Sequence, residues 1–526
     1  MTLLKRLPKQ IFYSSKRLSS NKTSNSKWET VVGLEIHAQI NAKSKLFSSA
    51  GTNFGAPTNT EVSYFDAAIP GTLPVLNKYC VEAGILTALA LNCTVNKRST
   101  FDRKHYFYPD LPAGYQITQQ FNPLANNGYI TFVVCSKSQG DEPYECRCNL
   151  KQIQLEQDSG RSFHVADKKS FVDLNRVGIG LMELVFEPDL RNGIEASSLV
   201  KELMLILRKI NTCSCEMEEG ALRVDANISV NQVGESLGVR TEVKNINSLR
   251  FIAQAIDFEI SRQINILEKG GIVSNETRAF DYHSKETVYM RDKEALQDYR
   301  FMPEPNLPPI RLSDDVDATD DYCISVNKLR EKLPKLPSVE RAELMSKYKV
   351  PYNIADIFVS TDGLRSMFET IACTVPDVMY ISNFLLNNVQ HQLNIRKLTF
   401  KNCHVSGKQI AGIVELATQS IISDATASDV LDMLFNGDQR SAAEIVEKYN
   451  WYLISDKEEL EKFCKEIMLA RPKMVKKYRN TRKKRYMTSL LQGLNEKVHN
   501  RASIRHAEAV FIELIFCDDS LEKKDS

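Results

Sequence analysis

Glu35 and His37 lie two residues apart in Val31–Ile40, where Leu34, Ile36, Ala38 and Ile40 alternate with Glu35, His37 and Gln39. Residues two apart on a strand share a face. A carboxylate and an imidazole therefore point the same way, a pair suited to holding a divalent cation or moving a proton. Three more segments set polar groups into apolar surroundings: Gln154, Glu156 and Asp158; Glu183 with Glu187; and Arg240, Glu242 and Lys244. One such carboxylate is accounted for by a solvated sheet face, whereas one on each of several strands fits that account less well. Residue types alone leave both readings open.

A second chemistry is written in Arg471–Arg485, where nine of fifteen residues are Lys or Arg and none is acidic. Lys476, Lys477, Arg479, Arg482, Lys483, Lys484 and Arg485 form its densest part, with Tyr478 and Tyr486 interleaved. Such a run is either a solvated helix face or a local field that attracts phosphate backbones. Its surroundings are acidic. Residues 1–27 hold seven bases, six serines and no acid, the composition of a mitochondrial transit peptide, and set against the remaining 66 acidic residues are 61 basic ones, a net charge of minus five. The rest of the chain is therefore expected in the mitochondrial matrix.

The elements that must position these groups change character along the chain. From Trp28 to about Ile310 short alternating segments predict strands, with Leu222, Val224, Ala226, Ile228 and Val230 facing a core and Arg223, Asp225, Asn227 and Ser229 facing outward. Two helices are expected there, Ala196–Ile210 and Leu249–Leu267, the second with Ser248 as N-cap. Pro303, Pro305, Pro308 and Pro309, followed by an Asp-rich stretch, mark a boundary. Beyond it helices dominate, with a break near Leu398–Val405. The fold class is thus α+β: a transit peptide (1–27), a mixed-sheet domain (28–310), an all-α domain (311–397) and a helical tail domain (398–526).

Absences narrow the class. No apolar run approaches the roughly 20 residues of a membrane-spanning helix, the twelve cysteines lack zinc-site spacing, and no P-loop, GxGxxG, GxSxG or HExxH motif occurs.

Trp28-Glu-Thr-Val-Val-Gly-Leu-Glu-Ile-His-Ala-Gln-Ile40 resembles the opening of the B-subunit family of glutamyl-tRNA(Gln) amidotransferases. The likeness continues, in order, through Ala68–Asn77, Phe101–Asp110, Val172–Arg176, Glu218–Ser229, Glu242–Ser248 and Tyr299–Pro305, and less sharply through Ile381–Leu385 and Ser489–Gly493. It implies a cradle-shaped domain, a helical domain and a tail that grips tRNA. It also implies an activity: ATP-dependent phosphorylation of the Glu side chain on Glu-tRNA(Gln), then amidation by ammonia, with Asp-tRNA(Asn) as the rival substrate and a purely tRNA-binding role as the rival function. Glu35, His37 and Glu183 are the implied Mg²⁺ ligands, with Glu156 and Asp158 as further candidates. Arg103, Lys104, Arg223 and Lys244 are the implied holders of phosphate or substrate carboxylate. One departure stands out: Glu156-Gln157-Asp158 replaces a Glu-Glu-Asp run, so one potential anionic ligand is a neutral amide, and either the metal shifts its coordination or that position does not ligate it. The chain lacks the Ser-Ser-Lys signature of an amidase. An A-type amidase and a small third component, of C type or fungal F type, are therefore the expected partners.

Overall fold

The computed structural model describes residues 27–517 except 136–141, 166–168, 293–298, 315–322, 455 and 500, so the expected transit segment lies, but for Lys27, outside the described residues. The described residues divide into two compact units, one ending at Leu336 and the other beginning at Pro337.

The first unit is organised by a nine-stranded sheet. Its strands run in the order Glu286–Asp292, Glu276–Asp281, Thr241–Ile246, Leu222–Gln232, Trp28–Gln39, Gly180–Phe186, Tyr144–Gln157, Ala125–Val134 and Thr94–Val95. Only the pairing of Thr241–Ile246 with Glu276–Asp281 is parallel. Leu34, Ile36, Ala38, Val224, Ala226, Met182, Leu184, Ile153 and Leu155 are buried on one face in a single core with the helices Lys78–Ala90, Gly193–Lys209 and Leu249–Glu268. The first of these helices escapes sequence patterning because it is apolar nearly all round and has no amphipathic stripe to read. It also needs Gly84: a Cβ there would stand 2.6 Å from Leu124 and 3.2 Å from Leu155. Ser248 does occupy the N-cap position of Leu249–Glu268, but its side chain makes no capping bond.

Two expected boundaries move. The proline-rich run does not end the first unit, because Met302–Pro303 pairs with Asp102–Arg103 and Ile310, Leu312, Val326 and Leu329 join the sheet core. The unit continues to Leu336 rather than stopping at 310. In the second unit the Leu398–Val405 break is a turn and not a division: Lys397 is left-handed, and Leu393, Phe400, Val405 and Ile410 pack in one cluster. That cluster extends from Leu344 to Val446, and a separate one begins at Ile454 and ends at Ile515. The helix expected at Ile381–Leu393 is present but changes pitch, with a π-helical segment at Phe384–Val389 between Val378–Asn383 and Gln390–Arg396.

Candidate functional site

The face of the large sheet opposite its apolar core carries the polar residues. Cross-strand register assembles them: His37 stands opposite Glu183 on one side and Arg223 on the other, and Glu35 stands opposite Asp225. Glu183 in turn faces Gln154. Ligand atoms of Glu35, His37 and Glu183 all lie within 4.8 Å of one another. Glu183 is buried and accepts a hydrogen bond from the Gln154 amide. Burial, then the charges of Glu156 and Glu35, push its carboxyl well above the usual range. Two carboxylates and an imidazole held this close suit one divalent cation, which would offset the crowding of negative charge. The buried Glu156 Oε2 has no hydrogen-bond partner, and Lys104 Nζ stands 3.7 Å from it.

Cations ring this cluster. Lys104 Nζ is 3.7 Å from Glu156, Arg223 Nη2 is 2.8 Å from Asp158, and Lys244 Nζ is 2.8 Å from Asp225 and 3.4 Å from Glu242. Burial by itself would lower the pKa of each, but the carboxylates outweigh it and all three are held above their ordinary values: Glu156 and Glu183 for Lys104, Asp158 for Arg223, Asp225 and Glu242 for Lys244. Sequence reasoning missed Asp225, read only as outward-facing, and Arg176, which stands 3.6 Å from Asp158. The outward face of Leu222–Gln232 is not solvated, since Asp225 and Ser229 are buried. Alternation shows which face a residue takes, whereas what covers that face depends on segments distant in sequence.

Two expectations are corrected, and of the two readings of Gln157 the strand register fits the second. Arg103 holds no open anion site: its Nε and Nη2 bind both oxygens of Glu304 at 2.6 and 3.0 Å, and its guanidinium lies 4.4 Å from the Tyr115 ring centroid. Neighbours on a strand point oppositely, so Lys104 takes the cluster side and Arg103 the other. Asp158 is engaged by Arg223 and Arg176 and stands outside the three-ligand group, while Glu156 remains beside it through Lys104. Gln157 replaces no ligand. It pairs with Gly180 on the face of Leu155 and Met182, away from Gln154, Glu156 and Glu183.

In the second unit the basic run forms two helices, Pro472–Thr481 and Lys484–Val498, hinged at a left-handed Arg482. Its bases divide by role. Arg479 donates two hydrogen bonds, 2.7 and 3.1 Å, to the Ile515 carbonyl at the end of the last helix, and Arg482 lies 4.1 Å from the Phe516 ring centroid. Arg485 and Lys477 both lie over Tyr486, at 4.6 and 5.8 Å. Lys476, Lys483 and Lys484 are exposed.

The sequence profile of the GatB/GatE catalytic domain matches residues 30–317, and that of the GatB domain matches residues 366–515. The chain belongs to the GatB family of tRNA-dependent amidotransferase subunits. It is 47% identical over 477 residues to the B-subunit of the mitochondrial glutamyl-tRNA(Gln) amidotransferase of Aedes aegypti, covering 90% of each chain. It is 45% identical to the human mitochondrial B-subunit, covering 90% of this chain and 86% of that one. A bacterial relative, the B-subunit of the aspartyl/glutamyl-tRNA(Asn/Gln) amidotransferase of Rickettsia canadensis, is 42% identical over 88% of this chain and 92% of its own. The GatB/GatE match spans every residue of the charged sheet face, Glu35 to Lys244. The GatB match contains the basic hairpin and begins at 366, inside the first helical core rather than at the expected 398.

Proposed function

We propose that the chain is the kinase and transamidation component of a mitochondrial Glu-tRNA(Gln) amidotransferase, an ATP-dependent ligase of the matrix. A side-chain carboxylate is a poor electrophile until one oxygen becomes a leaving group. In this reading a carboxylate oxygen of the Glu esterified to tRNA(Gln) attacks the γ-phosphorus of ATP and ADP departs. Ammonia from a partner amidase of A type then adds to the acyl carbon, inorganic phosphate leaves, and Gln-tRNA(Gln) results. A small third component, of C or F type, would join the two larger ones.

The observation that carries the reading is the Glu35, His37 and Glu183 cluster with Lys104, Arg223 and Lys244 around it. Phosphoryl transfer asks a protein mainly for positioning and charge neutralisation. Glu35, His37 and Glu183 would hold Mg²⁺, which when bound neutralises phosphate charge. Lys104 and Lys244 are held fully charged by their carboxylates and stand ready to take anionic oxygens. Arg223 offers a buried Nε with no hydrogen-bond partner. The basic hairpin of the second unit, led by Lys476, Lys483 and Lys484, would contact the tRNA backbone. A purely tRNA-binding role would be favoured by a metal ligand lost at Gln157, but that residue lies on the core face of the sheet, away from Glu183.

The test is ADP formation by the chain reconstituted with its amidase and supplied with ammonium, with and without Glu-tRNA(Gln), beside Glu35→Ala. ADP formed only with charged tRNA and lost in the variant is the expected result. Tight tRNA binding without ADP from wild type would overturn the kinase assignment, and Asp-tRNA(Asn) run in parallel decides the substrate.

A further inference from the structure

Beside the charged cluster lies an aromatic row built from three separate segments. Ring centroids run from Phe121 to Phe301 (6.0 Å), Phe301 to Tyr299 (6.0 Å), Tyr299 to Tyr106 (6.2 Å) and Tyr106 to Tyr108 (5.5 Å). Lys104 ties the row to the cluster, with its Nζ 5.3 Å from the Tyr299 ring centroid and 3.7 Å from Glu156. The row is fixed from behind. The His105 amide donates to the Tyr299 carbonyl at 2.8 Å, its Nδ1 meets the Arg300 carbonyl at 2.8 Å, and the Arg103–Glu304 pair clamps the strand Met302–Pro303 that follows. At the Tyr108 end the rings are bare: Phe107 is 87% and Tyr108 50% exposed. Arg291 reaches that end, its Nη1 3.3 Å from the Tyr108 hydroxyl.

We propose that Phe107 and Tyr108, backed by this row, receive an adenine ring by stacking, with Arg291 available to a neighbouring phosphate. Exposed, pre-positioned aromatic faces next to a cation are what a nucleotide base with its phosphate requires. Two adenines reach a site that joins ATP to the 3′ end of a charged tRNA, that of ATP and that of the terminal adenosine. The inference rests on the kinase reading for its choice of ligand. Arg103 and Glu304 act as positioning residues for the row.

Equilibrium binding to the assembled complex tests this without catalysis. The probes are AMP-PNP against inorganic tripolyphosphate, and tRNA(Gln) ending in CCA against the same tRNA trimmed to CC. Phe107→Ala/Tyr108→Ala removes the exposed rings from positions where little packing is lost, and Tyr108→Phe is the rescue. Loss of one stacked base corresponds to a roughly 5- to 150-fold weakening. Weakened AMP-PNP with unchanged tripolyphosphate assigns the rings to ATP, and weakened CCA-ending tRNA with unchanged CC-ending tRNA assigns them to the terminal adenosine; Tyr108→Phe recovers most of the loss in either case. The proposal is overturned if the double variant binds all four probes as wild type does. It is equally overturned if the variant loses only glutamine-dependent turnover while ammonium-dependent turnover persists, which would make the rings a contact with the amidase. Wild type that prefers the adenine-bearing probes yet forms no ADP would sink the kinase reading and leave the base subsite standing.

Discussion

Glu183→Gln should stabilise the metal-free protein and at the same time disable it. Glu183 and Glu35 offer oxygens within 4.8 Å of each other. Two unit charges at that separation repel by about 3 kcal/mol at an effective dielectric of about 20. Gln154 offsets part of this, and so does protonation, since folding raises the Glu183 carboxyl well above its ordinary value. Because the folded pKa is the higher one, ionisation of Glu183 opposes folding. The penalty is absent below the unfolded carboxyl's value of about 4.3 and grows as pH rises through the interval up to the folded value. The neutral isostere should therefore gain about 1–2 kcal/mol at pH 7, or about 1–3 °C in melting temperature, and nothing near pH 4. Adding Mg²⁺ should reverse the order: a ligand at a hundred times its Kd stabilises by about 2.7 kcal/mol, and only wild type retains both carboxylates. Thermal unfolding of the EDTA-stripped complex, with and without Mg²⁺ at several pH values, reads both effects. A variant less stable than wild type without metal, or one stabilised by Mg²⁺ to the same extent, would refute the electrostatic argument.

Gln157→Glu is expected to leave Mg²⁺ affinity unchanged and to cost about 1–3 kcal/mol, because it sets a carboxyl on the core face; a tightened metal Kd would show that the residue reaches the cluster after all. Lys45 and Asp66 form a fully buried pair 3.1 Å apart, so Lys45→Met alone should cost about 3–5 kcal/mol in denaturant unfolding, and Lys45→Met/Asp66→Leu should recover much of it. Replacing Lys476, Lys483 and Lys484 together by Glu should weaken tRNA binding and flatten its log–log salt dependence by about 2–3 units, as filter binding across salt concentrations would read. Arg479→Ala should act differently, lowering the stability of the last helices with little change in salt slope, since its guanidinium is already engaged by the Ile515 carbonyl.

Much of this was legible from alternation and composition. The strand bearing Glu35 and His37 declares its faces by period two, Glu183 stands out only as a carboxylate in the apolar strand Gly180–Phe186, and the helix Leu249–Glu268 declares itself by its apolar stripe. Alternation could also have placed Gln157, since its odd offset from Glu156 and Asp158 already puts it on the other side. A motif read as a run of letters hides that parity. What was not legible comes from pairing. Nothing local tells Arg103 that Glu304, two hundred and one positions away, will claim it. Likewise the proline stretch 303–309 reads as a boundary, yet the strand register and the burial of Ile310 and Leu312 keep it inside the first unit. Helix Lys78–Ala90 is hidden for the opposite reason, because burial on all sides leaves no polar face to mark its period.

The charges of the sheet face can be followed one step further. Glu35, Glu183, Glu156, Asp158, Asp225 and Glu242 supply six carboxylates, and Lys104, Arg223, Arg176 and Lys244 supply four cations. Each cation is within 4 Å of Glu156, Asp158, Asp225 or Glu242, and none of these ion pairs involves Glu35 or Glu183. Six carboxylates against four cations leave a formal surplus of minus two, and the surplus sits on the two carboxylates beside His37. That is the charge of one divalent cation. The pairs around it therefore do two things at once: they keep the lysines and arginine charged and oriented for incoming phosphate oxygens, and they leave the unbalanced charge in one place. Removing a peripheral cation such as Lys244 would enlarge the surplus and shift it toward Asp225 and Glu242, so its loss should disturb metal binding as well as phosphate binding. Removing Glu35 or Glu183 halves the surplus itself, which is why their substitution should separate stability from activity while Lys244→Met should lower both.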